Sequence, residues 1–244
     1  MSNNPGFVSE IFQSFQGEGI HVGQRQVFIR FIGCNLSCAY CDTNVEDENF
    51  CLVKQKKDIQ KIKNPVDAGQ VVNAINSFIV QKNVFHSLSM TGGEPLLQVD
   101  FIKDFAAKID IPKYLETNGT LPERLEEIIE FVDIVAMDYK IPSATKCDDY
   151  SKQHRKFLEI AQLKEVFVKA VFTKDTTVQD IDDVATLISE IDNNIPLVLQ
   201  PATVSRSFKS APTVEQFFSF HTVAKRKLNK VLIIPQCHKF MGIH

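Results

Sequence analysis

The sequence predicts an α/β fold, an incomplete (β/α)6-type, TIM-like barrel of mostly parallel strands. Two observations lead there. Short runs of β-branched and aromatic residues alternate with longer amphipathic stretches along the chain, the pattern of parallel strands joined by right-handed helical crossovers. A complete eight-unit barrel takes about 250 residues, and the six or seven units countable in these 244 residues fit an unfinished one. A doubly wound open sheet is the competing architecture.

The predicted strands are 26–32, 87–90, 113–116, 134–137, 166–172, 197–199 and 231–234. Each is short, apolar and rich in β-branched or aromatic residues. The predicted helices are 67–81, 99–109, 122–131, 148–162, 177–191 and 213–227, where apolar residues recur at helical spacing. Leu121-Pro122-Glu123 and Ala211-Pro212-Thr213 place a proline or a capping residue just ahead of that spacing. Residues 44–64 break the pattern. They carry Lys54, Lys56, Lys57, Lys61 and Lys63 and are expected to form a charged insertion, a solvated loop over one face. The whole chain, 1–244, is read as one domain.

Composition narrows the function. Hydrophobic residues are 44% and charged residues 23%, with 30 acids against 27 bases. That balance argues against a strongly basic nucleic-acid binder. No apolar run approaches the roughly 20 residues that span a bilayer. The start, MSNNPGFVSE, shows neither a basic nor an apolar leader segment. No nucleic-acid partner and no membrane are expected, and the expected location is the cytoplasm, where thiols stay reduced.

In parallel α/β folds, chemistry gathers where strands end. The predicted strands run into Gly33-Cys34, Thr91-Gly92-Gly93-Glu94-Pro95, Glu116-Thr117-Asn118-Gly119, Asp138-Tyr139-Lys140, Gln200-Pro201-Ala202-Thr203 and Pro235-Gln236-Cys237-His238-Lys239. Parallel strands would bring all six to one rim. Asn118-Gly119 alone reads equally as a turn.

Cys34, Cys38 and Cys41 have the spacing C-x3-C-x2-C. In a reducing compartment such thiols read as a metal site. A closed zinc site needs a fourth ligand, for which Cys51 or His21 could serve. An iron–sulfur cluster held by three cysteines keeps one iron open for a ligand. Cys51, Cys147 and Cys237 are isolated and read as unligated thiols. Arg30 interrupts an apolar strand, so it needs an anion, either a ligand or an acid of the chain. Glu18 lies in a glycine-flanked loop, Gln16-Gly17-Glu18-Gly19.

The cysteine spacing after a strand, followed by Gly92-Gly93-Glu94 after the next, resembles the radical S-adenosylmethionine (SAM) superfamily. Residues 10–19, Gly23, 28–36, Cys41-Asp42-Thr43, Thr91–Pro95, Glu116–Gly119, Gln200-Pro201 and 235–239 are similar to the 7-carboxy-7-deazaguanine synthase family within it. The resemblance implies a [4Fe–4S] cluster on Cys34, Cys38 and Cys41. It also implies SAM against Tyr40, Asp42, Gly93, Glu94, Asn118, Asp138, Tyr139, Lys140, Gln200, Pro201, Ala202 and Thr203. Thr43 would ligate Mg2+. A pterin substrate, 6-carboxytetrahydropterin, would lie against Phe15, Gln16, Gly17, Glu18, Arg30, Thr91, His238 and His244, with Arg30 on its carboxylate and Glu18 on its guanidine-like edge. The implied reaction begins when a one-electron donor such as flavodoxin reduces the cluster. SAM is cleaved to an adenosyl radical, which takes hydrogen from C6 of the pterin; ring contraction and loss of ammonia follow. The family also implies a homodimer. Another radical SAM enzyme, such as a glycyl-radical-enzyme activase, and a non-enzymatic zinc module are the alternatives.

Overall fold

The computed structural model describes residues 4–43, 48–55, 58–204 and 208–243. Its strands are β1 (Val8–Phe15), β2 (Arg25–Phe31), β3 (Phe50–Gln55), β4 (Asp58–Lys63), β5 (Ser87–Gly92), β6 (Lys113–Thr117), β7 (Ile134–Tyr139), β8 (Glu165–Phe172), β9 (Leu197–Pro201) and β10 (Val231–Ile233). They form one sheet in the order β10-β9-β8-β7-β6-β5-β2-β1-β3-β4. All seven expected runs are strands, and from β2 through β5 to β10 every neighbouring pair is parallel. The sheet has two edges, β4 and β10, and is not closed, which is the incomplete barrel the sequence predicts.

The helices are α1 (Ala68–Phe78), α2 (Val99–Ala106), α3 (Pro122–Glu126), α4 (Pro142–Thr145), α5 (Ser151–Ala161), α6 (Val178–Ser189), α7 (Val214–Lys225) and α8 (Cys237–Met241). Asp67, Thr177 and Thr213 begin α1, α6 and α7 with reciprocal capping boxes, which satisfy backbone N–H groups that would otherwise lack partners. The expected helix 122–131 is instead α3 followed by a short turn, Ile129–Phe131. Ile128 between them leaves the helical region at φ −127° and is fully buried.

The charged segment is a correction to the expected loop. Residues 50–55 and 58–63 are β3 and β4, an antiparallel pair, and β3 lies parallel to β1; 44–47 and 56–57 lie outside the described residues. Cys51, Leu52 and Val53 are buried, whereas β4 is almost wholly exposed. The lysines that hide the strand pattern suit an edge strand, where charge opposes pairing with other chains. β1 was also not expected as a strand; it pairs antiparallel with β2.

Side chains alternate across the sheet. Leu115, Val135, Met137, Val168, Ala170, Leu197 and Leu199 join the main core against the helices. Tyr114, Ile134, Ala136, Phe167 and Val198 form a second cluster on the other face. Two residues beyond these, on that same inner face, stand Glu116, Asp138, Lys169 and Gln200. The inner face is thus apolar at one end of the strands and polar at their C-terminal ends.

Candidate active site

The polar ends enclose a cavity of about 550 Å³. It brings together Cys34, Cys38, Tyr40, Cys41, Asp42, Thr43, Gly93, Asn118, Asp138, Lys140, Gln200, Ala202 and Thr203 with Phe15, Gln16, Gly17, Glu18, Arg30, Thr91 and His238. Three expected residues do not line it. Tyr139 and Pro201 have the parity of Met137 and Leu199, so their side chains leave by the outer face; Tyr139 packs 4.2 Å from the His154 ring. Glu94 is fully buried. Its carboxylate accepts from the Leu96 N–H at 3.0 Å, the Thr117 hydroxyl at 2.8 Å and the Asn118 N–H at 2.8 Å. Glu94 therefore fixes the end of β6 from behind, and burial pushes its pKa up although the N–H donors oppose this. His244 lies outside the described residues.

The cysteine loop follows β2. The Ala39 N–H donates to the Thr145 carbonyl at 2.8 Å, and the Cys41 N–H to that of Cys38 at 3.1 Å. Asn118 Nδ2 donates to Asn35 Oδ1 at 2.8 Å. Gly93 runs so close beneath the loop that a Cβ there would overlap the Gly33 carbonyl oxygen. Cys34 and Cys41 are exposed and Cys38 is half-buried. Burial pushes the Cys38 thiol up to about 12; a bound cation would bring it to the thiolate that a metal needs.

Neither candidate for a fourth zinc ligand reaches these thiols. Cys51 is fully buried in the core, and His21 Nε2 pairs with Glu165 at 3.0 Å; neither lines the cavity. Among the described residues no three Cys, His, Asp or Glu side chains form a single-ion site. A cluster with one open iron fits the donors better, since three thiols are what it takes from the protein. The Tyr40 hydroxyl, Asp138 Oδ1 and Gln200 Oε1 are buried without partners although their residues line the cavity. Such groups call for a ligand that brings hydroxyls and amines, and SAM does.

A line of ion pairs crosses the floor. Lys169 contacts Glu18 and lies 3.4 Å from Asp138 Oδ2, which Lys140 reaches at 2.9 Å. Gln236 Nε2 donates to Glu18 at 2.8 Å and to Asp42 at 3.1 Å, and Lys239 pairs with Asp42 at 2.8 Å. Burial raises the pKa of Glu18, but Lys169 and Gln236 outweigh it and hold the carboxyl down to about 2. Glu116 accepts from Gln16 Nε2 at 3.0 Å, Ser89 at 2.7 Å and Thr91 at 3.3 Å. Arg30 Nε donates to Glu10 at 2.7 Å. A Cβ on Gly17 would meet the His238 ring, so the glycine admits that ring to the wall.

Sequence reasoning missed Glu10, Glu116, Lys169, Gln236 and Lys239. Lys169 carried a signal, a charge inside the apolar run of β8. Glu116 stood within a quoted strand end, and Glu10 faces Arg30 only once β1 is known to be a strand.

The sequence profile of the radical SAM superfamily matches residues 28–185, well over half the chain, so this is a radical SAM enzyme, of the class that works with a [4Fe–4S] cluster and SAM. A 7-carboxy-7-deazaguanine synthase of Geobacter sulfurreducens is 39% identical over 99% of both chains. One of Archaeoglobus fulgidus is 36% identical over 96% of this chain and 97% of that one. The protein belongs to the 7-carboxy-7-deazaguanine synthase family. The crystal structure of QueE from Escherichia coli shares the fold, with a TM-score of 0.55 and 19% identity over 96% of this chain and 95% of that one.

Proposed function

We propose that the protein converts 6-carboxy-5,6,7,8-tetrahydropterin to 7-carboxy-7-deazaguanine with loss of ammonia, a carbon–nitrogen lyase step of 7-deazapurine (queuosine or archaeosine) biosynthesis. The observation that carries this is the meeting of the three-cysteine loop with Arg30 and Glu18 in one cavity.

When bound, the cluster and SAM supply a carbon-centred radical able to take hydrogen from the substrate. Cys34, Cys38 and Cys41 would hold the cluster. Tyr40, Asp42, Gly93, Asn118, Asp138, Lys140, Gln200, Ala202 and Thr203 would hold SAM. Arg30 orients the substrate carboxylate through planar, charge-assisted hydrogen bonds. Glu18 is ionised at neutral pH and accepts from the amino-pyrimidine edge. Gln16 and Thr91 are fixed by Glu116, and Phe15 and His238 form the wall. Holding the reacting carbon in one orientation and excluding water are the protein's main contributions. Thr43, whose hydroxyl lies 3.4 Å from the Gly92 carbonyl oxygen, is the Mg2+ ligand in this reading, with substrate oxygens and waters completing the shell. Among the described residues no helix is long and apolar enough to cross a membrane. The reading includes a cytoplasmic homodimer of one-domain chains that takes electrons from a small donor such as flavodoxin.

The test is anaerobic turnover of the reconstituted, chemically reduced enzyme with SAM and 6-carboxytetrahydropterin, with and without Mg2+. Formation of 7-carboxy-7-deazaguanine is expected; SAM cleavage without that product would reject the synthase activity.

A further inference from the structure

We propose that Lys54 is a positioning residue for the substrate's anionic group, acting through Glu10 on Arg30. The inference rests on the reading of Arg30 as the carboxylate contact. Glu10 on β1 stands opposite Arg30 on β2 and accepts from Arg30 Nε at 2.7 Å. The guanidinium carbon lies 5.7 Å from the centre of the Phe12 ring. Among the described residues Arg30 bonds through Nε alone, so its two terminal nitrogens are left for a planar anion.

Glu10 alone would defeat its own purpose. It lines the same cavity, and its negative charge would repel the carboxylate that Arg30 is oriented to receive. Lys54 answers this from β3, pairing with the other oxygen of Glu10 at 2.6 Å. Arg30 and Glu10 by themselves sum to zero charge; Lys54 takes up the second Glu10 oxygen, so less of the Glu10 charge is set against Arg30. All three side chains are less than a quarter exposed, at 23%, 10% and 18% for Arg30, Glu10 and Lys54, so water screens the balance weakly. Lys54 is not on the cavity wall. The strand pair of β3 and β4, outside the run of parallel strands, thereby gains a role in substrate choice.

Two probes share the pterin ring and differ in the anionic group: 6-carboxypterin and 6-hydroxymethylpterin. Their binding to the cluster-loaded, SAM-bound protein is followed by pterin fluorescence. Lys54→Met is expected to weaken 6-carboxypterin about tenfold and 6-hydroxymethylpterin by less than about twofold. In turnover KM rises while kcat is nearly unchanged. Lys54→Arg is expected to restore the lost affinity. Equal weakening of both probes, or of neither, overturns the inference. Arg30→Met, measured alongside, separates the two levels. If it leaves 6-carboxypterin tightly bound, the reading of Arg30 fails and the inference with it; if it abolishes binding while Lys54→Met binds normally, only the inference falls. Should Lys54→Met melt much lower than the parent, Lys54→Gln is put through the same two probes.

Discussion

Lowering the pH should destabilise this protein through one buried histidine. His154 on α5 has no exposed surface. Its Nε2 lies 3.1 Å from the Asn118 carbonyl oxygen, which requires the proton on Nε2, and Nδ1 is buried without a partner. A second proton would place an unsatisfied N–H and a charge among apolar side chains. Burial accordingly pulls its pKa from 6.5 down to about 4. The unfolded chain takes up the proton near 6.5 and the folded one only near 4, so between those values the unfolded state binds more protons. The contribution of neutral His154 is complete above pH 6.5 and is lost as pH falls toward 4. Those two values give a loss of about 2 kcal/mol between pH 7 and pH 5, or about 4–8 °C in Tm for a chain of this length. The assay compares melting at pH 7 and pH 5 for the parent and His154→Gln, loaded identically with cluster. The glutamine amide keeps a donor for Asn118 and removes the titration, while all other groups titrate in both proteins. The parent should lose about 4–8 °C more than the variant; an equal decline in both would refute the reasoning.

Three further outcomes are expected. Gly93→Ala would drive a Cβ into the Gly33 carbonyl and should cost about 1–3 kcal/mol; melting and iron per chain read it, and parental values for both would contradict the tight approach. Lys169→Met leaves Glu18 without its ammonium partner, while Asp138 keeps Lys140 at 2.9 Å, and should cost about 3 kcal/mol. Adding Glu18→Gln should recover part of that, and a double variant melting with the single one counts against the pair. Cys147 contacts Thr145, whose carbonyl also accepts from the Ala39 N–H of the cysteine loop, but is read as unligated, so Cys147→Ser should keep the iron content that Cys34→Ser, Cys38→Ser and Cys41→Ser lose.

The parallel strands were legible because burial on both faces demands near-continuous apolar runs, as in 166–172. Their order of pairing follows the chain from β5 to β10, as short crossovers require. β4 was hidden by Lys61 and Lys63, since an edge strand has one side to protect with charge and only a half-pattern to show, and β3 beside it by Lys54, which pairs with Glu10 of β1. β1 was hidden differently. Its polar residues break the apolar pattern on both faces, Glu10 at the cavity and Gln13 bonded to Arg25, so the strand reads like a loop.

The same reasoning explains which of the expected site residues line the cavity. A strand-end motif names a short run, but a strand gives the cavity only every second residue. Asp138 and Lys140 line the cavity while Tyr139 between them does not, and Gln200 and Ala202 do while Pro201 does not. Counting parity back from the buried apolar residues would have separated them. Val166, Val168 and Ala170 belong to the main core, so Phe167, Lys169 and Val171 must face inward. A lysine at the second of those positions, beyond an apolar plug and before the strand's end, has to meet carboxylates. Glu18 and Asp138 are the two it meets, one on the side read for substrate and one on the side read for SAM. The Lys169 ammonium is therefore shared between an acid on each side of the site, and Lys140 holds Asp138 as well.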